Sequence, residues 1–167
     1  MASWSQFDMA APEFGAAGRR TLVGPDGVAI GFLASVGAHG VPHLSPVCPI
    51  FCGAHLYVSA GAHTPKVDDL RASGRYVLHA FLAAKDEEFQ VAGGAFEVSD
   101  AAERAAVHSA IPFGSFKTAD PIFQLSIERA LWVYWERVGQ PDTRPIRRRW
   151  SSTQGAAQQG KGADRPQ

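Results

Sequence analysis

The chain has 167 residues, 46% of them hydrophobic and 19% charged, which suits one domain able to bury a core without disulfide or metal staples. Its 16 basic and 16 acidic residues cancel, so no global field draws it to nucleic acid or an anionic membrane, and a small molecule is the expected partner. Cys48 and Cys52, the only cysteines, lack further Cys or His pairs at zinc-ligand spacing, and both are expected to be buried, reduced and inert.

Residues 5–22 carry Phe7, Ala10, Ala11, Phe14, Ala17 and Leu22 at mostly three- and four-residue steps, predicting an amphipathic helix interrupted near Pro12 and Gly15. The N-terminal stretch MASWSQFDMAAPEF has no basic lead followed by an apolar run, and no apolar stretch nears the roughly 18 residues of a membrane span, so the expected location is cytoplasmic. A turn at Gly24-Pro25-Asp26-Gly27 leads into a first strand, Val28 to Val36, and Gly37-Ala38-His39-Gly40 turns the chain back. The second strand, VPHLSPVCPIF, holds Pro42, Pro46 and Pro49, which cannot donate to a ladder and so argue for an edge, a bulge or a pocket wall. Gly53-Ala54 turns into a third strand, HLYVSA.

The stretch Ser59 to Gly74, SAGAHTPKVDDLRASG, joins a strand end, a small-residue loop and a helix start. Thr64 is placed to cap a helix beginning at Pro65, where a missing N–H does no harm; Val67 and Leu70 give it a buried face, and Ser73-Gly74 stops it. Lys66 is the odd member, because a cation in the first turn opposes the helix dipole and an anion would reverse that penalty. Helix N–H groups, a hydroxyl and an ammonium fit a phosphate seat; the same lysine also fits a solvated side chain.

Beyond the helix, Arg75 to Leu82 alternates as a fourth strand, and Glu88 to Val98 reads as a fifth with a bend or bulge at Gly93-Gly94. Ser99-Asp100 caps a helix over Ala101 to Ala110, with Glu103 at or near capping-box distance. Phe123 to Trp135 mixes periods and reads as two strand segments joined at Glu128-Arg129. The run RPIRRRW, Arg144 to Trp150, reads either as a solvated basic strand end or as an anion-binding cluster. From Ser151 the chain is Ser, Gln, Gly and Ala without apolar period, a disordered tail. The expected layout is an N-terminal helical segment (1–27), a mainly β domain (28–150) and that tail (151–167). Six short strands with accessory helices predict a closed or nearly closed antiparallel barrel.

Set in this order, GFLASVGAHGVPHLSPV, HLYVSA, TPKVDDLRAS and RYVLHAFL resemble the pyridoxamine 5'-phosphate oxidase-like family of FMN-binding split β-barrels, over roughly residues 28–136. The resemblance implies a six-stranded antiparallel split barrel, a homodimer with two cofactor sites at its interface, and flavin-dependent oxidoreductase chemistry. It implies that Pro42, His43, Leu44, Ser45, Pro46 and Val47 run along the isoalloxazine of FMN. Ser59 and Ala60 would lie near the ribityl chain, and Thr64, Pro65 and Lys66 at the phosphate. Pro65 stands where relatives often carry arginine. The deazaflavin-dependent branch uses the same pocket, and a non-catalytic flavin or haem binder is a further possibility within this frame. The vitamin-B6 oxidase itself grips its substrate phosphate with a longer C-terminal segment, so pyridoxamine-phosphate oxidation is expected to be absent or poor here.

Among the six histidines only His43 and His63 fall near the implied cofactor, and with no pair at ligand spacing no metal site is expected. SAGAHT lacks the glycine spacing and terminal Lys-Ser/Thr of a P-loop, and no Gly-x-Ser-x-Gly elbow supports a serine hydrolase. Trp132, Tyr134 and Trp135 are read as core or dimer interface before cofactor stacking. No side chain is singled out as catalytic.

Overall fold

A computed structural model describes residues 1–81, 86–111 and 117–153. Leu82 of the expected fourth strand and residues 154–167 of the expected tail lie outside the described residues. Proline sets the first break: α1 (Trp4–Ala10) ends at Ala11, and α2 (Pro12–Leu22) restarts with Pro12 as its first residue, running through Gly15 without interruption. Ser3 and Gln6 form a capping box at the start of α1.

The strands are β1 (Gly31–Val36), β2 (Pro42–Val47), β3 (Ile50–Cys52), β4 (His55–Ser59), β5 (Arg75–Ala80), β6 (Glu88–Glu97), β7 (Ile122–Leu125), β8 (Arg129–Glu136) and β9 (Arg144–Ser151). Helices α3 (Pro65–Ser73) and α4 (Ala101–Ser109) complete the fold. The fold is mainly β as expected, with nine strand segments among the described residues where six were expected. Cys48-Pro49 splits the second expected strand into β2 and β3, and RPIRRRW forms most of β9, paired with β8 from Arg129↔Ser151 to Glu136↔Arg144. Its arginines therefore belong to a full-length ladder. Pro145 is tolerated because β9 has β8 on one side only.

All pairings are antiparallel, and the sheet runs β2-β1-β5-β6-β7-β4-β3 with β8 and β9 attached to β6. The ten-residue β6 is the spine. One edge pairs with β5, while the other is shared by β8 (Glu88↔Val133 to Ala92↔Arg129) and β7 (Ala95↔Leu125 to Glu97↔Phe123). Where the partner changes, the chain crosses so close to Gly93 that a Cβ there would lie 1.9 Å from the Ser126 carbonyl oxygen, and only glycine fits.

The sheet curls around a core drawn from both halves of the chain. Trp4, Phe7, Phe14 and Leu22 of the two N-terminal helices meet Leu33, Leu78, Phe89, Val91, Phe123 and Leu125 of the sheet. Each such side chain, taken from water, contributes about 1.5–3 kcal/mol. Edge-to-face contacts of Trp4 with Phe51 (4.9 Å) and Phe7 with Trp150 (4.8 Å) lock the helices against β3 and β9. Trp132 also belongs to this packing, with its Nε1–H donating to Glu87 at 2.8 Å. A second cluster of Ile50, Tyr57, Val98, Val107 and Ile122 lies under α4. Cys48 and Cys52 are half-buried rather than buried; burial still pushes the Cys48 thiol upward.

Candidate functional site

The β1–β2 hairpin closes on a Gly37 N–H donating to the Val41 carbonyl at 3.0 Å. From there the ladder alternates, so the pairs Val36↔Pro42, Ala34↔Leu44 and Phe32↔Pro46 exchange no hydrogen bonds, and the backbone groups of Pro42, Leu44 and Pro46 point off the free edge of β2. Two of those three residues are prolines. The edge therefore presents three carbonyls and one N–H, that of Leu44. The side chains alternate as well: Leu44 stands outward and is 68% exposed, while His43, Ser45 and Val47 turn to the opposite face, where Val47 is buried.

That second face carries α3, which packs across β1 and β2. Asp69, only 4% exposed, is buried between helix and hairpin. It accepts a hydrogen bond from the Ser35 hydroxyl at 2.6 Å and one from the His43 Nδ1–H at 2.7 Å. Burial pushes the Asp69 carboxyl up, but the Ser35 and His43 hydrogen bonds and the charge of His43 outweigh it, so the group stays below the ordinary carboxylate range and ionised. With Nδ1–H committed to Asp69, the imidazole of His43, 39% exposed, has only Nε2 left to offer.

At its other end α3 begins at Pro65 as the sequence predicts, with Lys66 half-buried in the first turn. Thr64 does not cap the helix: its hydroxyl donates to the Gly61 carbonyl at 2.9 Å and rigidifies the approach loop instead. Pro65 has no N–H, and the Val67 N–H turns onto the Thr64 carbonyl at 2.9 Å. The donor left at the tip is the Lys66 N–H, beside its own ammonium, and among the described residues Lys66 is in no ion pair. Gly74, at φ +60°, closes the helix in the left-handed conformation.

The remaining expected residues are structural in their contacts. Ser59 is buried with its hydroxyl on the Pro121 carbonyl at 3.2 Å, and Ala60 is buried beside it. His63 is exposed. Among the described residues no three His, Cys, Asp or Glu side chains converge as a metal site, and no helix is long and apolar enough to cross a membrane. The structure thus joins β2 and the middle of α3 through two residues the sequence reading did not single out, Ser35 and Asp69. A signal for them exists: two-residue alternation places Ser35 with inward-facing Leu33, and helical spacing places Asp69 beside buried Leu70 while Asp68 is exposed.

No family model matches the sequence, and no curated protein does. Solved structures do match. A haem-binding protein from Mycobacterium smegmatis gives a TM-score of 0.59 at 19% identity over 85% of this chain, which spans 60% of that protein. A Clostridium acetobutylicum protein of the pyridoxinephosphate oxidase family, related to general stress protein 26, gives 0.57 at 12% identity over 90% of this chain and 98% of its own. The fold is the pyridoxamine 5'-phosphate oxidase-like split β-barrel. A NimC/NimA family protein from Clostridium acetobutylicum shares the split barrel with a TM-score of 0.53 at 10% identity, over 70% of this chain and 83% of its own. Identities this low speak to the split barrel itself and not to what it binds.

Proposed function

We propose that this protein is a flavin-binding oxidoreductase that works as a homodimer, with FMN, or a deazaflavin coenzyme in its place, lying between the free edge of β2 and the start of α3. The observation that supports the reading is the Asp69 link, which ties the middle of α3, one turn on from Lys66, to His43 of the strand at the sheet edge. The donor set fits: an ammonium and a helix N–H for a phosphate, and one N–H flanked by carbonyls for the polar rim of a flavin ring. Exposed Val36, Val41 and Leu44 surround that edge and give a second protomer an apolar surface to cover. When bound, the flavin would supply the hydride chemistry. The chain's own residues would bind the phosphate, orient the ring and, once the dimer forms, exclude water.

Titrating the purified protein with FMN, and separately with a deazaflavin, tests this through quenching of cofactor fluorescence. Lys66→Ala is expected to weaken binding by about 1.5–3 kcal/mol, the contribution of a hydrogen bond to a charged group, with unchanged thermal unfolding. Equal affinity in both proteins would remove Lys66 from the site. NADPH reduction followed by reoxidation separates an enzyme from a carrier: a bound flavin that takes up hydride and passes it to an acceptor supports turnover.

One observation favours a second reading, haem binding without catalysis. A histidine whose Nδ1–H is held by a carboxylate, with Nε2 left to offer, is the usual arrangement of a metal-ligating imidazole. A haem complex whose absorption is altered in His43→Ala, with no retention of either flavin, would support that reading over the first.

A further inference from the structure

Strand alternation sorts the basic run of β9 into two sets. Arg144 pairs with Glu136, and Arg148 pairs with Glu13 while lying over the rings of Phe14 and Trp132. Arg147 and Arg149 have the opposite phase and stand on the outer face of the sheet, where Arg129 of β8 is the diagonal neighbour of Arg149, because Leu131↔Arg149 and Arg129↔Ser151 are the registered pairs. Arg129 and Arg149 border an open groove of about 470 Å³ across β5, β6, β8 and β9. Its floor is Val77, Ala92 and Leu131, and Gln90 joins the arginines at the rim.

Their charges are unanswered within the described chain. Arg129 and Arg149, like Arg19, Arg104 and Arg147, form no ion pair there, and the nearby Glu128 carboxylate is already held by both terminal nitrogens of Arg75. Two guanidinium groups at diagonal positions repel each other until an anion lies between them, and their planar forks suit the paired oxygens of a carboxylate or phosphate. An apolar floor below two cationic forks selects a ligand with both parts.

We infer that this groove is a binding site for a small amphipathic anion, with a carboxylate or phosphate between Arg129 and Arg149 and an apolar, planar body on Val77, Ala92 and Leu131. The site is separate from the Lys66 seat. Ala92 and Leu44 lie on one row across the sheet, through Val77 and Ala34, so three strand spacings, about 14 Å, part the groove floor from the β2 edge. The inference does not depend on a flavin.

The probes are phenyl phosphate and benzoate, with phenol and inorganic phosphate as controls, titrated into the full chain while backbone amide resonances are followed. Phenyl phosphate or benzoate is expected to shift Val77, Ala92, Leu131 and Arg149 most, and to bind at least tenfold more tightly than either control. Arg129→Gln and Arg149→Gln are each expected to weaken that binding about tenfold or more, as loss of a charged hydrogen bond does. Lys66→Ala should leave it unchanged. Unaltered thermal unfolding of the glutamine variants shows that the groove persists. No binding of either anion, shifts centred on Lys66, or equal affinity in the Arg129→Gln, Arg149→Gln double variant would overturn the inference. The carboxylate and phosphate probes distinguish which head group the forks prefer.

Discussion

Replacing Asp69 by alanine removes the acceptor of two short hydrogen bonds, from Ser35 at 2.6 Å and from His43 at 2.7 Å. Hydrogen bonds to a charged group contribute about 1.5–3 kcal/mol each, giving a gross loss of about 3–6 kcal/mol. Removing a buried carboxylate also returns part of its desolvation cost, while the buried Ser35 hydroxyl, left without a partner, adds about 1–3 kcal/mol of penalty. The expected net effect is a destabilisation of about 3 kcal/mol, or roughly 6–12 °C in the unfolding midpoint of a domain this size. Urea unfolding of the wild type, Asp69→Ala, Ser35→Ala and the double variant closes a cycle. The double variant should cost less than the sum of the singles by about 1 kcal/mol or more, because no hydroxyl remains orphaned in it. Since the Asp69 carboxyl lies below its ordinary value in the folded protein, its contribution is fully present above about pH 4 and is lost as the pH falls through the folded value. The gap between wild type and Asp69→Ala should therefore close in acid. A variant within about 0.5 kcal/mol of wild type at pH 7, or strictly additive losses, would refute the buried network.

Gly93→Ala should cost about 3 kcal/mol or more in chemical unfolding, because its Cβ would meet the Ser126 carbonyl 1.9 Å away. Gly74→Ala, at φ +60° with its added Cβ meeting nothing nearer than 3.7 Å, should cost only the left-handed penalty of about 1–2 kcal/mol in the same measurement. Trp4→Ala should cost about 3–5 kcal/mol, but Trp4→Phe less than about 1.5 kcal/mol, since the buried Nε1–H has no partner among the described residues to lose. Thr64→Val should lower stability by about 1 kcal/mol through the lost bond to Gly61 and, with that loop loosened, weaken FMN binding less than Lys66→Ala does.

Much of this architecture is local and so was legible in the sequence. Pro65 and Gly74 bracket α3 at both ends, and the change of period near Glu128 marks the passage from β7 to β8. β9 was harder to read because arginines filling both faces of the strand erase the alternation of apolar and polar residues. The partners that distinguish those faces, Glu13 for Arg148 and the groove for Arg149, come from distant parts of the chain. The same holds for the site. Lys66 announces itself through its conflict with the helix dipole, whereas Asp69 acquires meaning only when Ser35 and His43, separated from it by 34 and 26 residues, are folded against it. The capping role expected of Thr64 would have its hydroxyl accept from a helix N–H, whereas in the fold that hydroxyl donates backward to the Gly61 carbonyl.

Ala2 and Ile127 exchange backbone hydrogen bonds of 3.0 and 2.7 Å in the gap where β6 changes partner, which has a consequence for how the protein is made. The ribosome delivers Ile127 some 125 residues after Ala2 (127 − 2), a delay of about 6–25 s at roughly 5–20 residues per second. During that interval Trp4 and Phe7 have emerged without the late strands that enclose them. The aromatic side chains of α1 thus wait exposed until the strands that bury them are made.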